Sequence, residues 1–459
     1  MGEIWTLGEG QRVSTACAET GLNNNILVVG PSGSGKTMSY AEMCLVKTEN
    51  ASLIVTLSKR RLVKRYAPYL AGKGFRVYDL NLAEPGESGI AYDPLRYVRS
   101  DRDVTYLAQA IVMADPRKEG NRAADPFWDD AAISLLSALI AYVRHVKSWP
   151  SFDDVCALFA RLRVTEEGES IRTNLDDLFD RLNAEEPEGF AYQCWKTFRY
   201  APMRTAGSIY SSLSVTMDTI FSPELRRAMR EKAWVDFPAL TAEKTVLFVT
   251  TSAVNPSLNA FAGLFYSQAV KELFEYAESR ENGVLPRPLH LLCDDFAVGA
   301  RVSSFAQYIS VFREKGMSVS ILLQSESQLR SMYGDADAVT IINNCDRYLY
   351  LGGMDLATCR SVAERMSLPL PEVLYMPLGR EFLFQRGRRP VVTERFHITE
   401  DPEWRRAAGL TDEGRKRPSG SGRRGALEEK GKGTAFWPCP FSVLAGPGAY
   451  WKLWAERRP

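Results

Sequence analysis

Residues 30–37 have the types and spacing of a phosphate-binding loop. They fit the pattern Gly-x-x-x-x-Gly-Lys-Ser/Thr at every fixed position and follow the apolar run Ile26–Val29. Glycines let such a loop turn its backbone N–H groups inward around phosphates. The lysine of this pattern contacts the β- and γ-phosphates, and the final hydroxyl binds Mg²⁺. The motif predicts that ATP and Mg²⁺ bind at Gly30, Pro31, Ser32, Gly33, Ser34, Gly35, Lys36 and Thr37.

A pair of acidic residues, Asp294 and Asp295, follows the apolar run Leu289–Cys293. In enzymes with a phosphate loop, the acid at such a strand end holds Mg²⁺ directly or through water. Asp294 is the candidate for this role, and Asp295 would orient or deprotonate the attacking water. Two acids after an apolar strand are also a common way to end a strand. Their combination with the phosphate loop favours the magnesium site.

Two further polar residues have positions suited to phosphate chemistry. Gln324 ends the apolar run Val319–Leu323, where a polar side chain could sense the γ-phosphate. Arg313 ends a predicted helix just before that run. In a ring of subunits, such an arginine can reach the ATP of the neighbour and neutralise charge in the transition state. The alternative for Arg313 is an ordinary solvated arginine.

The elements that position these residues have the pattern of an α/β doubly wound, mainly parallel sheet. Short, continuously apolar runs alternate with helical patterns at Asn259–Ser279 and Ser303–Glu314, which is typical of buried parallel strands covered by helices on both faces. At least two strands separate the phosphate loop from the acidic strand, which favours the RecA-like branch of P-loop NTPases that work mechanically on polymers. The predicted strands are Ile26–Val29, Leu53–Leu57, Phe75–Leu80, Thr245–Thr251, Leu289–Cys293, Val319–Leu323 and Tyr348–Leu351.

The strand pattern divides the chain into four parts. Residues 1–101 and 206–404 form the two parts of the nucleotide-binding domain. Residues 102–205 lack strand patterns and show helical spacing instead, which predicts an inserted all-α domain. Residues 405–459 combine a basic flexible linker with an aromatic tail. That tail could bind a partner, lie at a membrane surface or have no selected role.

Overall charge gives no indication of a nucleic-acid partner, because 57 Lys and Arg balance 56 Asp and Glu. Any basic surface must therefore be local. One local cluster could bind DNA phosphates or could form a solvated helix face. It consists of Lys59, Arg60, Arg61, Lys64 and Arg65.

The cysteines and the apolar stretches limit the class of protein. Eight scattered cysteines without a CxxC pair, with three histidines, argue against a disulfide scaffold or a zinc site and favour a reducing cytoplasm. The longest apolar stretch, Ala131–Val143, is shorter than the ~20 residues of a membrane span. We expect a cytoplasmic protein, or one peripheral at the inner face of the cell membrane, without a transmembrane segment.

The order and spacing of several short motifs carry a family resemblance. From Gly21 to Trp404, the chain resembles the conjugative type IV secretion coupling proteins, the TraG-like DNA-transfer P-loop ATPases. The combination is far more specific than any one motif. The matching stretches besides the phosphate loop are Gly21–Ile26, Tyr92–Leu95, Asp125–Trp128, Asp294–Ala297, Ile321–Leu329, Tyr333–Gly334, Ile342–Cys345 and Leu351–Gly353.

This resemblance implies a homo-hexameric ring with ATP between subunits and single-stranded DNA in a central channel. It implies further partners: a relaxase or relaxosome, the type IV secretion channel and a membrane partner. The inserted domain would receive substrate at the mouth of the ring. Arg313 stands where the family places its arginine finger.

Departures from the family pattern keep two other functions open. Asp295 replaces the usual Glu, which withdraws the carboxylate by ~1.5 Å, and a misplacement of that order costs ~10²-fold in rate. Leu57–Arg61 replaces the family's Asp-Pro-Lys-Gly-Glu. A nucleotide-gated docking protein with weak turnover is therefore one alternative. The other is a double-stranded DNA translocase of the FtsK/HerA kind, against which the helical insert with Phe127 and Trp128 argues.

Overall fold

A mainly parallel sheet forms the centre of the computed structural model, which describes residues 2–114, 126–167, 170–252, 256–294, 296 and 301–410. All of them belong to one unit, residues 1–411. Predictions for Asp125, Asp295, Ala297 and residues 411–459 therefore lie outside the described part of the chain. In chain order, the strands are β1 (Ile4–Thr6), β2 (Arg12–Ser14), β3 (Ile26–Val29), β4 (Ser52–Leu57), β5 (Arg76–Asn81), β6 (Val164–Glu167), β7 (Ser170–Thr173), β8 (Thr245–Thr250), β9 (Leu289–Cys293), β10 (Met317–Leu323), β11 (Arg347–Tyr350), β12 (Arg380–Gln385) and β13 (Val391–Glu394).

Within the described residues, nine strands form the main sheet in the order β13-β12-β11-β3-β10-β9-β4-β8-β5. The strands from β11 to β5 pair in parallel, and β12 and β13 extend the sheet in the antiparallel sense. Every predicted strand is present, with bounds shifted by at most two residues. The predicted doubly wound α/β fold is confirmed.

Helices cover both faces of the sheet, as the continuously apolar strands require. Successive side chains of a strand point to opposite faces, so Leu27 and Val29 belong to one buried cluster and Ile26 and Val28 to another. In chain order, the helices are α1 (Cys17–Thr20), α2 (Glu42–Lys47), α3 (Arg60–Gly72), α4 (Asp101–Met113), α5 (Pro126–Val146), α6 (Phe152–Arg161), α7 (Asp176–Glu185), α8 (Phe190–Arg199), α9 (Met203–Ile220), α10 (Pro223–Glu231), α11 (Ala239–Ala242), α12 (Pro256–Glu278), α13 (Phe305–Lys315), α14 (Glu326–Tyr333), α15 (Asp335–Asn343), α16 (Leu356–Met366), α17 (Leu370–Leu374) and α18 (Pro402–Ala407).

Shorter helical turns complete these elements. A π-helical turn, Lys36–Ala41, leads from the phosphate loop into α2, and 3₁₀ turns occupy Pro85–Glu87, Pro94–Tyr97 and Ile398–Glu400. Among the helices that the structure describes, none combines the length and apolar character needed to span a membrane.

The insert differs from the prediction in two respects. It is mainly helical, but β6 and β7 pair as an antiparallel hairpin inside residues 102–205, so it is not all-α. These strands are short and polar, which is why no apolar run marked them. The helices also continue past residue 205, because α9, α10 and α11 precede β8. The division at 1–101, 102–205, 206–404 and 405–459 stays a prediction.

One buried carboxylate joins the insert to the nucleotide-binding part of the chain. Asp93, from the motif Tyr92–Leu95, is 1% exposed. Its Oδ1 accepts hydrogen bonds from the backbone N–H groups of Leu95 and Phe152, both at 3.0 Å. Because Phe152 begins α6, this motif has a structural role at the base of the insert.

Candidate nucleotide-binding site

The phosphate loop leaves the carboxyl end of β3, between the ends of two neighbouring strands. The N–H of Gly30 donates to the carbonyl of Leu323 at 3.0 Å, and the N–H of Leu351 donates to that of Val29 at 2.7 Å. These bonds fix the start of the loop beside the carboxyl-terminal ends of β10 and β11. In open α/β sheets, ligands bind outside the carboxyl ends of the strands.

Glycine is required in the loop for its backbone conformation. Gly33 has φ +78° and Gly35 has φ +91°, both in the left-handed region that favours glycine. A Cβ at Gly33 would meet no atom within 4 Å, so only the backbone angle demands glycine there. The helical turn that follows begins at Lys36 and presents its N-terminal N–H groups toward the loop, where a phosphate is favoured.

Lys36 is buried against its own loop. Its Nζ donates to the carbonyl of Gly30 at 2.6 Å and to that of Pro31 at 3.2 Å, and the residue is 7% exposed. The ammonium group therefore lies inside the loop, within a short movement of any phosphate that the loop surrounds.

Thr37 and Asp294 meet although they are 257 residues apart in sequence. The Thr37 Oγ1 donates to Asp294 Oδ2 at 2.8 Å. Asp294 directly follows β9 and is 4% exposed. β9 is separated from β3 only by β10, so both strands end at the same edge. The predicted convergence of the phosphate loop and the acidic strand is thus present in the structure.

This pair of oxygen ligands fits Mg²⁺. The ion usually takes one or two protein oxygens and completes its shell with water and substrate phosphates. Among the described residues no group of three His, Cys, Asp or Glu could hold a metal ion. Because two protein oxygens do not complete the octahedral shell of the ion, Thr37 and Asp294 would hold Mg²⁺ together with water or phosphate oxygens.

Gln324 lies at the same edge as the phosphate loop. It is exposed and follows Leu323, the residue whose carbonyl accepts from Gly30. This position agrees with the predicted role at the γ-phosphate, which stays a prediction. Asp295 lies outside the described residues, so its role stays a prediction as well.

Arg313 lies near the amino-terminal ends of the strands, whereas the phosphate loop lies at their carboxyl-terminal ends. It is exposed, and its guanidinium donates to the carbonyls of Gly21 at 2.8 Å and Cys17 at 3.4 Å. Both carbonyls precede β3, and Arg313 precedes β10, whose seven residues span ~20 Å. An arginine side chain reaches roughly 7 Å. Arg313 therefore cannot reach the phosphate loop of its own subunit.

The basic cluster is partly used for internal contacts. Arg60 binds both carboxylate oxygens of Asp79, at 2.6 and 2.5 Å. Arg65 lies 3.5 Å from Glu42 and over the ring of Trp404 at 5.7 Å. The remaining candidates for DNA contacts are exposed; they are Lys59, Arg61 and Lys64.

The described cysteines include Cys293, which directly precedes Asp294. All seven are free. Burial raises the pKa of Cys293, next to Asp294, to about 12, so its thiol stays protonated near neutral pH. Because the thiolate is the nucleophilic form of cysteine, this protonation argues against a cysteine nucleophile at this position.

One charged residue at the loop was not predicted from the sequence. Arg395 follows β13, and its Nη1 lies 3.2 Å from the position that a Cβ of Gly35 would occupy. No motif marked it, because it reaches the loop through the antiparallel strands β12 and β13, which the apolar-run pattern did not reveal.

Comparison with known proteins gives one family and a set of structural neighbours. The family model for type IV secretory system conjugative DNA transfer matches residues 3–366. A comparison with curated protein sequences gives no match.

Among solved structures, the bacterial conjugative coupling protein TrwBdeltaN70 in complex with sulphate superposes with a TM-score of 0.61 at 17% identity, over 81% of this chain and 85% of that one. The plasmid coupling protein TrwB in complex with ADP and Mg²⁺ gives 0.59 at 18%, with the same coverage. VirB4 of Thermoanaerobacter pseudethanolicus gives 0.54 at 12%, over 83% and 91%. At these identities the likeness shows a common fold.

Proposed function

The chain belongs to the type IV secretory system conjugative DNA transfer family, and we propose that it is an ATP-driven coupling ATPase. In this proposal it pumps single-stranded DNA, with its bound relaxase, to the secretion channel. The observation that carries the proposal is the contact between Thr37 and Asp294, 2.8 Å long, beside an intact phosphate loop. The ADP and Mg²⁺ bound to TrwB support the choice of ligand.

Each residue of the site has a distinct task in this proposal. Backbone N–H groups of residues 30–37 surround the phosphates, and Lys36 exchanges its two carbonyl partners for β- and γ-phosphate oxygens. Thr37 and Asp294 would hold Mg²⁺, and the ion would supply charge neutralisation at the phosphates. Gln324 contacts the γ-phosphate, and Asp295 orients the attacking water.

Assembly into a homo-hexameric ring completes the site. Arg313 lies at the amino-terminal ends of the strands, and its own phosphate loop lies at their carboxyl-terminal ends. It can therefore serve as an arginine finger only for a neighbouring subunit. The exposed side chains of Lys59, Arg61 and Lys64 supply positive charge for a DNA backbone. We place the protein in the cytoplasm, at the inner face of the membrane, held there by a membrane partner.

ATP hydrolysis with and without single-stranded DNA tests this function. We expect DNA to stimulate hydrolysis, and Lys36→Ala to reduce it ~10²-fold or more. Lys232→Ala is a matched control, because Lys232 also donates to loop carbonyls, those of Pro85 and Gly86 at 3.0 and 2.8 Å. Robust hydrolysis by Lys36→Ala would overturn the site. Stronger stimulation by double-stranded DNA would favour a double-stranded DNA translocase.

A nucleotide-gated docking protein is the second candidate, favoured by Asp295 in place of Glu. In that case ATP assembles the ring with little turnover. Replacing the residue, Asp295→Glu, separates the two. A large gain in turnover identifies a weakened but working active site, and unchanged turnover argues against that explanation.

A further inference from the structure

Arg395 packs directly on the phosphate loop. If Gly35 had a Cβ, that atom would lie 3.2 Å from Arg395 Nη1 and 3.4 Å from its Cδ. The backbone fixes this position, because the N–H of Arg395 donates to the carbonyl of Gly379 at 2.7 Å and continues the pairing of β12 with β13. β12 in turn pairs with β11, the neighbour of β3. The hairpin therefore brings a cation to the loop from within the same subunit.

The surroundings of Arg395 leave part of its charge uncompensated. Its Nε is fully buried and has no hydrogen-bond partner among the described residues, and the same holds for Oε1 of Glu381, which is 1% exposed. Burial lowers the pKa of Arg395, and Glu381 opposes that shift. Burial raises the pKa of Glu381 to about 8. A buried donor without an acceptor is costly. The anion-binding end of the guanidinium is its Nη1, which faces Gly35 of the phosphate loop.

We propose that Arg395 is a nucleotide-binding residue that acts within its own subunit and donates to the α- and β-phosphates. This inference rests on the proposed nucleotide site. Loop backbone N–H groups such as that of Gly35 surround the α- and β-phosphates, whereas Lys36 reaches the β- and γ-phosphates. The guanidinium of Arg395, which lies against Gly35, should therefore stabilise bound ADP and bound ATP equally, because it does not contact the γ-phosphate.

Equilibrium binding of Mg²⁺·ADP and of a non-hydrolysable Mg²⁺·ATP analogue to the full chain tests the inference. Arg395→Ala should weaken both ligands by the same factor, about 10- to 100-fold, as expected for one or two hydrogen bonds to a charged group. Arg395→Lys should give an intermediate loss, because it keeps the charge but not the guanidinium fork. Arg389→Ala is the matched control: it removes one exposed positive charge from the same hairpin and should bind like the wild type.

The outcomes separate this inference from the proposed function. If Lys36→Ala loses binding while Arg395→Ala and Arg395→Lys bind like the wild type, the inference alone is overturned. If Lys36→Ala binds like the wild type, the nucleotide site itself is wrong. A loss confined to the ATP analogue would place Arg395 at the γ-phosphate and overturn the assignment to the α- and β-phosphates. Arg395→Gln provides a second neutral variant of similar size if Arg395→Ala does not fold.

Discussion

Mixing two inactive variants would show which subunit supplies Arg313. In a ring, Arg313→Ala lacks the finger but keeps its phosphate loop, and Lys36→Ala lacks the loop lysine but keeps the finger. If Arg313 serves the neighbouring subunit, a mixed ring contains interfaces at which the Arg313→Ala subunit supplies an intact phosphate loop and the Lys36→Ala subunit supplies an intact arginine. If it served its own subunit, no such interface would exist.

The expected sizes follow from the geometry. Arg313 is ~20 Å from its own loop along β10, beyond the roughly 7 Å reach of its side chain. Loss of an arginine finger costs ~10³-fold or more in turnover, so each pure variant should be almost inactive. In random 1:1 rings about one quarter of the interfaces should regain activity, because each draws its loop from one subunit and its arginine from the next.

The assay is basal ATP hydrolysis after mixing, with mass measurement to show that mixed rings have formed. Arg386→Ala is the control for a purely structural effect. Arg386 donates to the same Gly21 carbonyl as Arg313, at 3.0 Å, so its removal disturbs that support without removing the finger. We expect Arg386→Ala to hydrolyse ATP at close to the wild-type rate.

Two results would contradict a role for Arg313 at the neighbouring site. One is wild-type turnover by Arg313→Ala alone, which would reduce Arg313 to a support for the carbonyls of Cys17 and Gly21. The other is proven mixed rings of the two variants with no gain in hydrolysis, which would show that the arginine does not complement a neighbouring site.

Three further predictions concern buried polar groups whose loss should change stability. Burial lowers the pKa of His290 to about 3, so the unfolded chain takes up the proton first as the pH falls below 6.5. Between pH 7.5 and pH 5 the wild type should therefore lose ~2 kcal/mol more unfolding free energy than His290→Gln. Equal losses in the two proteins would contradict this. Asp93→Ala leaves two buried N–H groups without their acceptor and should cost ~3 kcal/mol in urea unfolding; a cost near zero would contradict the proposed link. Trp404→Phe removes the 2.7 Å hydrogen bond from the indole to buried Glu42 and should lower the unfolding free energy by ~1–3 kcal/mol, and an unchanged thermal midpoint would show that the bond contributes nothing.

Strands buried on both faces could be predicted from sequence because their signal is local. β3, β4, β8 and β9 contain only buried residues, and a continuous apolar run at such a strand is hard to mistake. The edge strand β13 has exposed Val391 and Val392, and the insert hairpin is polar. Such strands are stabilised by pairing with neighbours, which a single sequence does not reveal.

The candidate site could be predicted where a motif and the topology agree. Once β3 and β9 are parallel strands of one sheet, Thr37 and Asp294 must lie at the same edge, and they are in contact. The contact of Arg395 with Gly35 could not be foreseen, because it depends on how β12 and β13 fold back beside β11. Likewise, the pairing of Arg60 with Asp79 needs the approach of α3 to β5, which composition alone does not specify.

An experimental structure of the chain with Mg²⁺·ADP tests the nucleotide site most directly. We expect the β-phosphate against the backbone N–H groups of Gly33–Thr37, with the metal next to Thr37 Oγ1 and the Asp294 carboxylate. A nucleotide bound elsewhere, or a metal without Thr37 and Asp294 around it, would contradict the assignment of this loop as the nucleotide site.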